Sequence, residues 1–413
     1  MKIKKNNIYI FLVLLLSVLT ETIFFAQFKY FVLLFATILI SLYLFDNTYR
    51  SNGDRYVSEY FICKNNRTLI LSIFTLFFSS IFLNRLIIFE DLIDIIEPIG
   101  FIIFFIFSVL FFIKAIHDNK ISYIAKIIVY ISFLLSCCCI LFSLITFDFV
   151  RYKSIYDFFI FSSNASFFKD TPELGIFIGA SLIFAYYLFL NNELKNSFFY
   201  LILFISFFAI LISGNRTGFF ASILALISYK IIIKNMKFIS FKVFLKIFFF
   251  ILFFVLILFI LSEFFPYIKQ IFRSANFISG RDYLWSFITL DNLSFFGHSK
   301  KYIANFFSYT IYDPLVWPYT LHGFHNYYIN TLFFFGLIPF FILILIKIVE
   351  FLLIFNIRHN YFYLVQVLYI YTFIINILFS YSYGGGRFVS TLSAFIISLL
   401  FSKKLIAYDL KKN

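Results

Sequence analysis

His325 and Asn326 stand side by side in this chain, and after nine further residues comes Gly336. Histidine titrates near neutrality and can take a proton from a hydroxyl as a general base. An asparagine beside it can orient a substrate or the imidazole. The pair sits where a long polar stretch runs into an apolar one. The bland alternative is an interfacial histidine that hydrogen-bonds only its neighbours. Three arginines could complete a site for an anion. Arg216 lies in Ser213-Gly214-Asn215-Arg216-Thr217-Gly218. A guanidinium fork suits phosphate, and the flanking glycines allow a sharp turn and a close ligand approach. Snorkelling to lipid headgroups is the competing role for Arg216. Arg281 follows Ser279-Gly280 and precedes Asp282, a pattern that starts a helix whose free N–H groups favour anions. Arg387 follows Gly384-Gly385-Gly386, at the start of another apolar run. His322 could share a face with His325, but only the distant Asp313 could add a ligand, so no metal is expected.

The elements that must carry these residues are dictated by composition. Of 413 residues 62% are apolar and 13% charged, so hydrocarbon rather than water is the expected solvent. The 70 Phe and 29 Tyr, beside many Ile, Lys and Asn, fit an AT-rich coding sequence that fills lipid-facing positions with Phe and Ile. Apolar runs near the ~17–25 residues that a span requires occur at 8–26, 28–45, 68–84, 99–116, 121–147, 174–190, 197–213, 217–233, 243–262, 325–346, 361–381 and 387–402. The expectation is an all-α integral membrane protein of about twelve transmembrane helices. It forms a single multi-pass membrane domain over 1–413, with a large outer loop carrying short helices at 263–324. The run 121–147 exceeds a span and predicts a tilted or projecting helix.

The net charge of +14 would suggest a nucleic-acid partner in a soluble protein, but its distribution argues against one. With Lys2, Lys4 and Lys5 in the cytoplasm, most of the Lys and Arg fall on cytoplasmic ends, Lys230, Lys234, Lys237, Lys242 and Lys246 among them. The basic charge is therefore a topology signal and a contact for anionic lipids, and both termini are expected in the cytoplasm. The first apolar run is too long for a signal peptide and lacks a small-residue cleavage site, so it reads as a retained helix. Cys63 and the neighbouring Cys137, Cys138 and Cys139 make neither a disulfide framework nor a metal site.

The outer loop holds three of the six prolines, both tryptophans, His298 and His322. After Ser279 the residues Tyr283, Leu284, Trp285, Phe287 and Ile288 suit a short helix at the membrane surface.

Gly214-Asn215-Arg216-Thr217-Gly218, then Gly280-Arg281 with Leu284-Trp285, then His325-Asn326 with Gly336, together resemble the bacterial O-antigen ligase/polymerase superfamily, most of all an O-antigen polymerase. The likeness covers about Gly214 to Gly336. The ligase pattern has His and a polar residue, nine residues, Gly, two more, then Gly, Thr or Tyr; here that last position is Pro339. The resemblance implies a glycosyltransferase of the inner membrane acting on undecaprenyl-pyrophosphate-linked glycans, without a cofactor. Arg216 and Arg281 would hold the pyrophosphate and His325 would be the catalytic base. Asn326, Arg387 and His322 would support them. Membrane lipids and a chain-length regulator are the implied further partners. A ligase acting on lipid A-core is the nearest alternative. A lipid-linked oligosaccharide flippase is the alternative of another class; it would carry charges inside its central helices, and few charges fall inside these apolar runs.

Overall fold

The computed structural model describes residues 5–19, 29–46, 64–88, 93–145, 171–212, 216–234, 288–299, 301–303, 305–306, 326–356, 362–378 and 388–401. Among them lie helices α1 (Lys5–Leu19), α2 (Lys29–Asp46), α3 (Lys64–Ile87), α4 (Ile93–His117), α5 (Ile121–Ile145) and α6 (Thr171–Leu190). There follow α7 (Asn196–Ile212), α8 (Arg216–Lys234), α9 (Tyr327–Phe335), α10 (Leu337–Asn356), α11 (Phe362–Leu378) and α12 (Phe388–Phe401). No strand occurs among the described residues. Each predicted apolar run contains a helix, apart from 243–262, which lies outside the described residues. Pro98–Ile116, Ile121–Ile145 and Leu337–Ile354 are long and apolar enough to cross a membrane; the remaining apolar helices are shorter. The surface helix predicted after Ser279 falls largely outside the described residues; the described stretch that begins at 288 contains a 3-10 turn at Leu290–Asn292.

Ile and Phe are indifferent helix formers in water, but hydrocarbon leaves the backbone no partner except itself, and that enforces the helices. Outward-facing Phe31, Phe35, Phe204 and Phe341 agree with the expected lipid-facing role. Phe77, Phe104, Phe111, Phe112, Phe177 and Phe184 are instead wholly enclosed, so phenylalanine also builds the interior.

Neighbouring helices alternate in direction. At one end of the bundle the Tyr43 hydroxyl donates to Asp118 (3.0 Å), Lys120 donates to Asn7 (2.9 Å), and Lys126 pairs with Glu193 (2.8 Å). Helix α1 begins there, α2, α4 and α6 end there, and α5 begins there. At the opposite end, α3 finishes with Asn84 against the last residue of α9, Phe335, and Arg85 against the His298 carbonyl.

The closest seam joins α6 and α8, both of which pack on α11. A Cβ placed on Gly218 would lie 2.6 Å from the Gly175 carbonyl carbon, and one on Gly179 would meet the Ser222 and Tyr371 hydroxyls. Gly175 and Gly179, like Gly218 and Ser222, are four residues apart, so each helix presents one small-residue face to the other. Tyr371 closes this seam by donating to the Ile176 carbonyl (2.7 Å).

Candidate active site at a helical hairpin

The sequence predicts one helix over 325–346; the structure breaks it at Gly336. This glycine has φ 94° and ψ −179°, a conformation that side chains disfavour. The Leu337 N–H leaves the helical ladder and donates to the Phe295 carbonyl (3.1 Å). Beyond the break the chain folds back. The Tyr328 ring lies 6.4 Å from Phe373, Phe373 stacks on Tyr369 (6.4 Å), and the Tyr369 hydroxyl donates to the Lys347 carbonyl (2.8 Å). In a straight helix Tyr328 and Lys347 would be about 28 Å apart, far beyond what two aromatic rings can bridge. Helices α9 and α10 therefore form an antiparallel hairpin with Gly336 at its apex, and Asn326 lies about 15 Å below that apex along α9.

A second segment clamps the apex. The His298 N–H donates to the Phe334 carbonyl (3.3 Å), so residues 295–298 cross the hairpin backbone to backbone. A Cβ on Gly297 would collide with Phe334 and Phe335, and one on Gly336 with Phe295, Phe296 and Gly297. From α3, Asn84 donates to the Phe335 carbonyl (2.7 Å) and Arg85 to the His298 carbonyl (2.8 Å). The Arg85 guanidinium also lies 4.8 Å from the centre of the Phe335 ring, a desolvated cation–π contact.

The His298 imidazole stacks on Tyr302 (4.1 Å) and touches Phe333 (4.6 Å). Its Nε2 lies 2.8 Å from the Asn292 carbonyl. A carbonyl only accepts, so the neutral ring carries its proton on Nε2. Burial draws the His298 pKa below the ordinary histidine value; the hydrogen bond to the Asn292 carbonyl pulls partly back, and the Arg85 charge lowers it further.

Asn326 is the N-cap of α9. Its side-chain oxygen accepts from the Tyr328 N–H (2.9 Å) and the Ile329 N–H (3.0 Å), while its own carbonyl accepts from Asn330 (2.9 Å). Asparagine is among the best residues for this task. The polar partner of His325 thus has its Oδ1 committed to starting the helix.

His325, His322, Arg281 and Arg387 lie outside the described residues, as does the side chain of Arg216. The backbone of Arg216 opens α8. Two residues later, Gly218 spends its missing side chain on contact with Gly175, which replaces the predicted close ligand approach with helix-on-helix packing. Helix α8 comes up to Tyr371 through Ser222, and α9 meets Phe373 through Tyr328. The beginnings of α8 and α9 therefore flank adjacent turns of α11, against which α12, starting one residue after Arg387, also packs.

Two features escape a reading of hydropathy alone. Lys347 and Glu350 form an ion pair (3.0 Å) with side chains 8% and 5% exposed. The predicted run stops at 346, but α10 continues to Asn356, so both charges fall deep inside the apolar window Leu337–Ile354. Charges inside the spans stay few, but this pair is two more than the predicted run contained. Opposite charges three residues apart on an apolar helix were the available signal. Arg85 is the second, 4% exposed at the end of α3 and signalled only by the Asn84-Arg85 step closing an apolar run.

Residues 201–344 match a family model described as O-antigen ligase. No curated protein and no solved structure matches the chain. The matched stretch runs from α7 past the apex into α10 and includes Arg216, Arg281, His325 and Asn326. That match supports the O-antigen ligase/polymerase superfamily for this chain, whose members are membrane glycosyltransferases and ligases.

Proposed function

We propose that this chain polymerises a surface polysaccharide at the outer face of the bacterial inner membrane. It would transfer a glycan from undecaprenyl pyrophosphate to a hydroxyl of a second lipid-linked repeat unit. The observation that carries the reading is the order Arg216, Arg281, His325-Asn326, Gly336 inside the matched stretch. The hairpin adds support, because it brings the Asn326 end of α9 and the first turns of α8 to neighbouring turns of α11.

In this mechanism the acceptor oxygen attacks the anomeric carbon, forming the new glycosidic bond as the carbon–oxygen bond to pyrophosphate breaks. The electron pair leaves with undecaprenyl pyrophosphate, and the acceptor proton passes to His325. Direct displacement inverts the anomeric centre. Arg216 and Arg281 stabilise the charge that the diphosphate gains on leaving. Arg387 and His322 support the same outer face. The donor is already activated, so the transfer runs without a nucleotide sugar.

A ligase reading has the description of the matched family behind it. Pro339, where the ligase pattern has Gly, Thr or Tyr, favours the polymerase. It sits in the first turn of α10, where a missing N–H costs nothing. Banding of surface polysaccharide on a gel, with and without the gene, separates the two. Loss of polymerisation leaves single repeats on the core; loss of ligation leaves bare core with accumulated lipid-linked polymer. His325→Ala is expected to lower chain extension by about 10²–10⁴-fold, with membrane insertion intact. Normal polymer length in that variant would remove His325 from the mechanism. Arg281→Lys keeps charge but loses the planar fork, so full activity there would reduce Arg281 to simple charge placement.

A further inference from the structure

Helix α3 lies outside the stretch that matches the family model, yet its last turn holds the hairpin apex. Asn84 and Arg85, neighbours in sequence and both buried, reach the two segments that cross there. Asn84 donates to the Phe335 carbonyl at the end of α9 (2.7 Å). Arg85 donates to the His298 carbonyl (2.8 Å) and lies over the Phe335 ring (4.8 Å).

The sequence explains why Asn84 has a carbonyl to meet. In a continuous helix Phe335 would accept from the residue four ahead, which is Pro339 and has no N–H. Asn84 supplies that donor from another helix. Stability is a poorer explanation for Arg85. A guanidinium enclosed at the end of an apolar span is costly to desolvate, and an apolar side chain would cover the Phe335 ring without that penalty. What the pair adds is direction. One hydrogen bond to each crossing segment fixes where the apex sits relative to α3.

That placement is carried along α9. The helix is nine residues long, and Asn326 lies about 15 Å from the apex. A tilt of about 10° about the apex would move the Asn326 end by about 2.5 Å. Misplacing a reacting group by about 1 Å can cost about 10²-fold in rate. We propose that Asn84 and Arg85 are positioning residues for glycan transfer, holding the apex so that α9 presents its Asn326 end correctly to the reacting groups. This rests on the glycan-transfer reading above and gives the first half of the chain a part in it. In that reading Arg216 and Arg281 hold the donor pyrophosphate, and neither belongs to the hairpin. The clamp should therefore govern transfer and leave donor binding alone.

The experiment uses the full chain in nanodiscs. Undecaprenyl pyrophosphate without sugar counts the donor sites and gives their affinity. The same lipid bearing its repeat-unit glycan then gives the rate of transfer per site. Asn84→Leu and Arg85→Met are each expected to lower that rate about tenfold to a hundredfold, with the number and affinity of sites as in wild type. Arg85→Lys keeps a charged donor and should lose less than Arg85→Met; equal losses would remove Arg85 from the role. If the two residues merely held the fold together, their variants would lose sites in proportion to activity, and the rate per remaining site would stay at the wild-type value. That result would overturn the proposal, as would a fall in donor affinity that accounts for the whole loss. A wild-type rate per site in one variant removes that residue from the role, and in both variants the positioning role alone fails. If wild type binds the sugar-free lipid but transfers no glycan, the glycan-transfer reading fails, and the positioning role with it.

Discussion

Gly297 and Gly336 pass so close that a methyl on Gly336 would lie 2.6 Å from the Gly297 nitrogen, while one on Gly297 would run into the Phe334–Phe335 backbone just before Gly336. Both also have positive φ, 85° and 94°. Alanine in the left-handed region costs about 1–2 kcal/mol, and forcing an extra methyl into a packed contact typically adds about 1–3 kcal/mol. Gly336→Ala and Gly297→Ala should therefore each lower stability by about 2–5 kcal/mol, read by thermal unfolding in detergent. Wild-type melting in either variant would mean that the apex is not clamped as described.

Asn326 has been given a structural task that can be separated from a chemical one. Asn326→Ala should cost about 1 kcal/mol through loss of the cap, while Asn326→Ser and Asn326→Asp keep an accepting oxygen and most of the stability. Glycan transfer measured on the serine variant then reports the chemical share. If the alanine variant unfolds at the wild-type temperature, capping by Asn326 is refuted.

The Lys347–Glu350 pair predicts a non-additive outcome. Lys347→Met strands a buried carboxylate and should cost about 3–5 kcal/mol. Adding Glu350→Leu should recover most of that loss, since an apolar replacement of a buried pair is often neutral or better. A double variant as unstable as the single one would show that the pair acts through other contacts.

His298 supplies a pH dependence. Its folded-state pKa lies below the unfolded value, so the unfolded chain binds the extra proton first as pH falls. The stability it contributes is complete above the unfolded histidine value of about 6.5 and declines as pH drops through that value towards the lower folded pKa. Melting temperatures between pH 7.5 and pH 5, pH values set for the assay at roughly a unit either side of the ordinary histidine value, should fall more steeply in wild type than in His298→Phe, which keeps the ring packing. Parallel curves would show that His298 is not held neutral at the apex.

Much of the helical framework was legible because lipid-facing Phe and Ile make unbroken apolar runs whose ends Lys, Arg, Asn and Gly punctuate. The hairpin was not legible. Tyr327–Phe335 and Leu337–Ile346 are both apolar, and hydropathy does not record direction; only the positive φ at Gly336 and its contact with Phe295 turn the chain back. In sequence Gly336 stands out for its distance from His325-Asn326, yet its mechanical role needs Gly297, 39 residues earlier. The Lys347–Glu350 pair was missed for a related reason, since the predicted run ended one residue short of Lys347. Gly175 and Gly179 against Gly218 and Ser222 are legible from spacing alone, as small residues four apart on two apolar runs. In the sequence Asn326 reads as a residue that orients substrate or imidazole; the cap it makes is a different task, and the simplest one that a polar residue at a helix entrance can perform.

The fold-back at Gly336 turns a sequence interval into a ruler. The nine residues from Tyr327 to Phe335 span two and a half turns of α9. They set both how deep the Asn326 end descends and which way around the axis it points. One inserted residue would shift that end by about 1.5 Å and swivel it by about 100°, enough to aim it at a different neighbour while hydropathy and the apex stay unchanged. Length variation in α9 should therefore be far less tolerable than exchange of one apolar side chain for another.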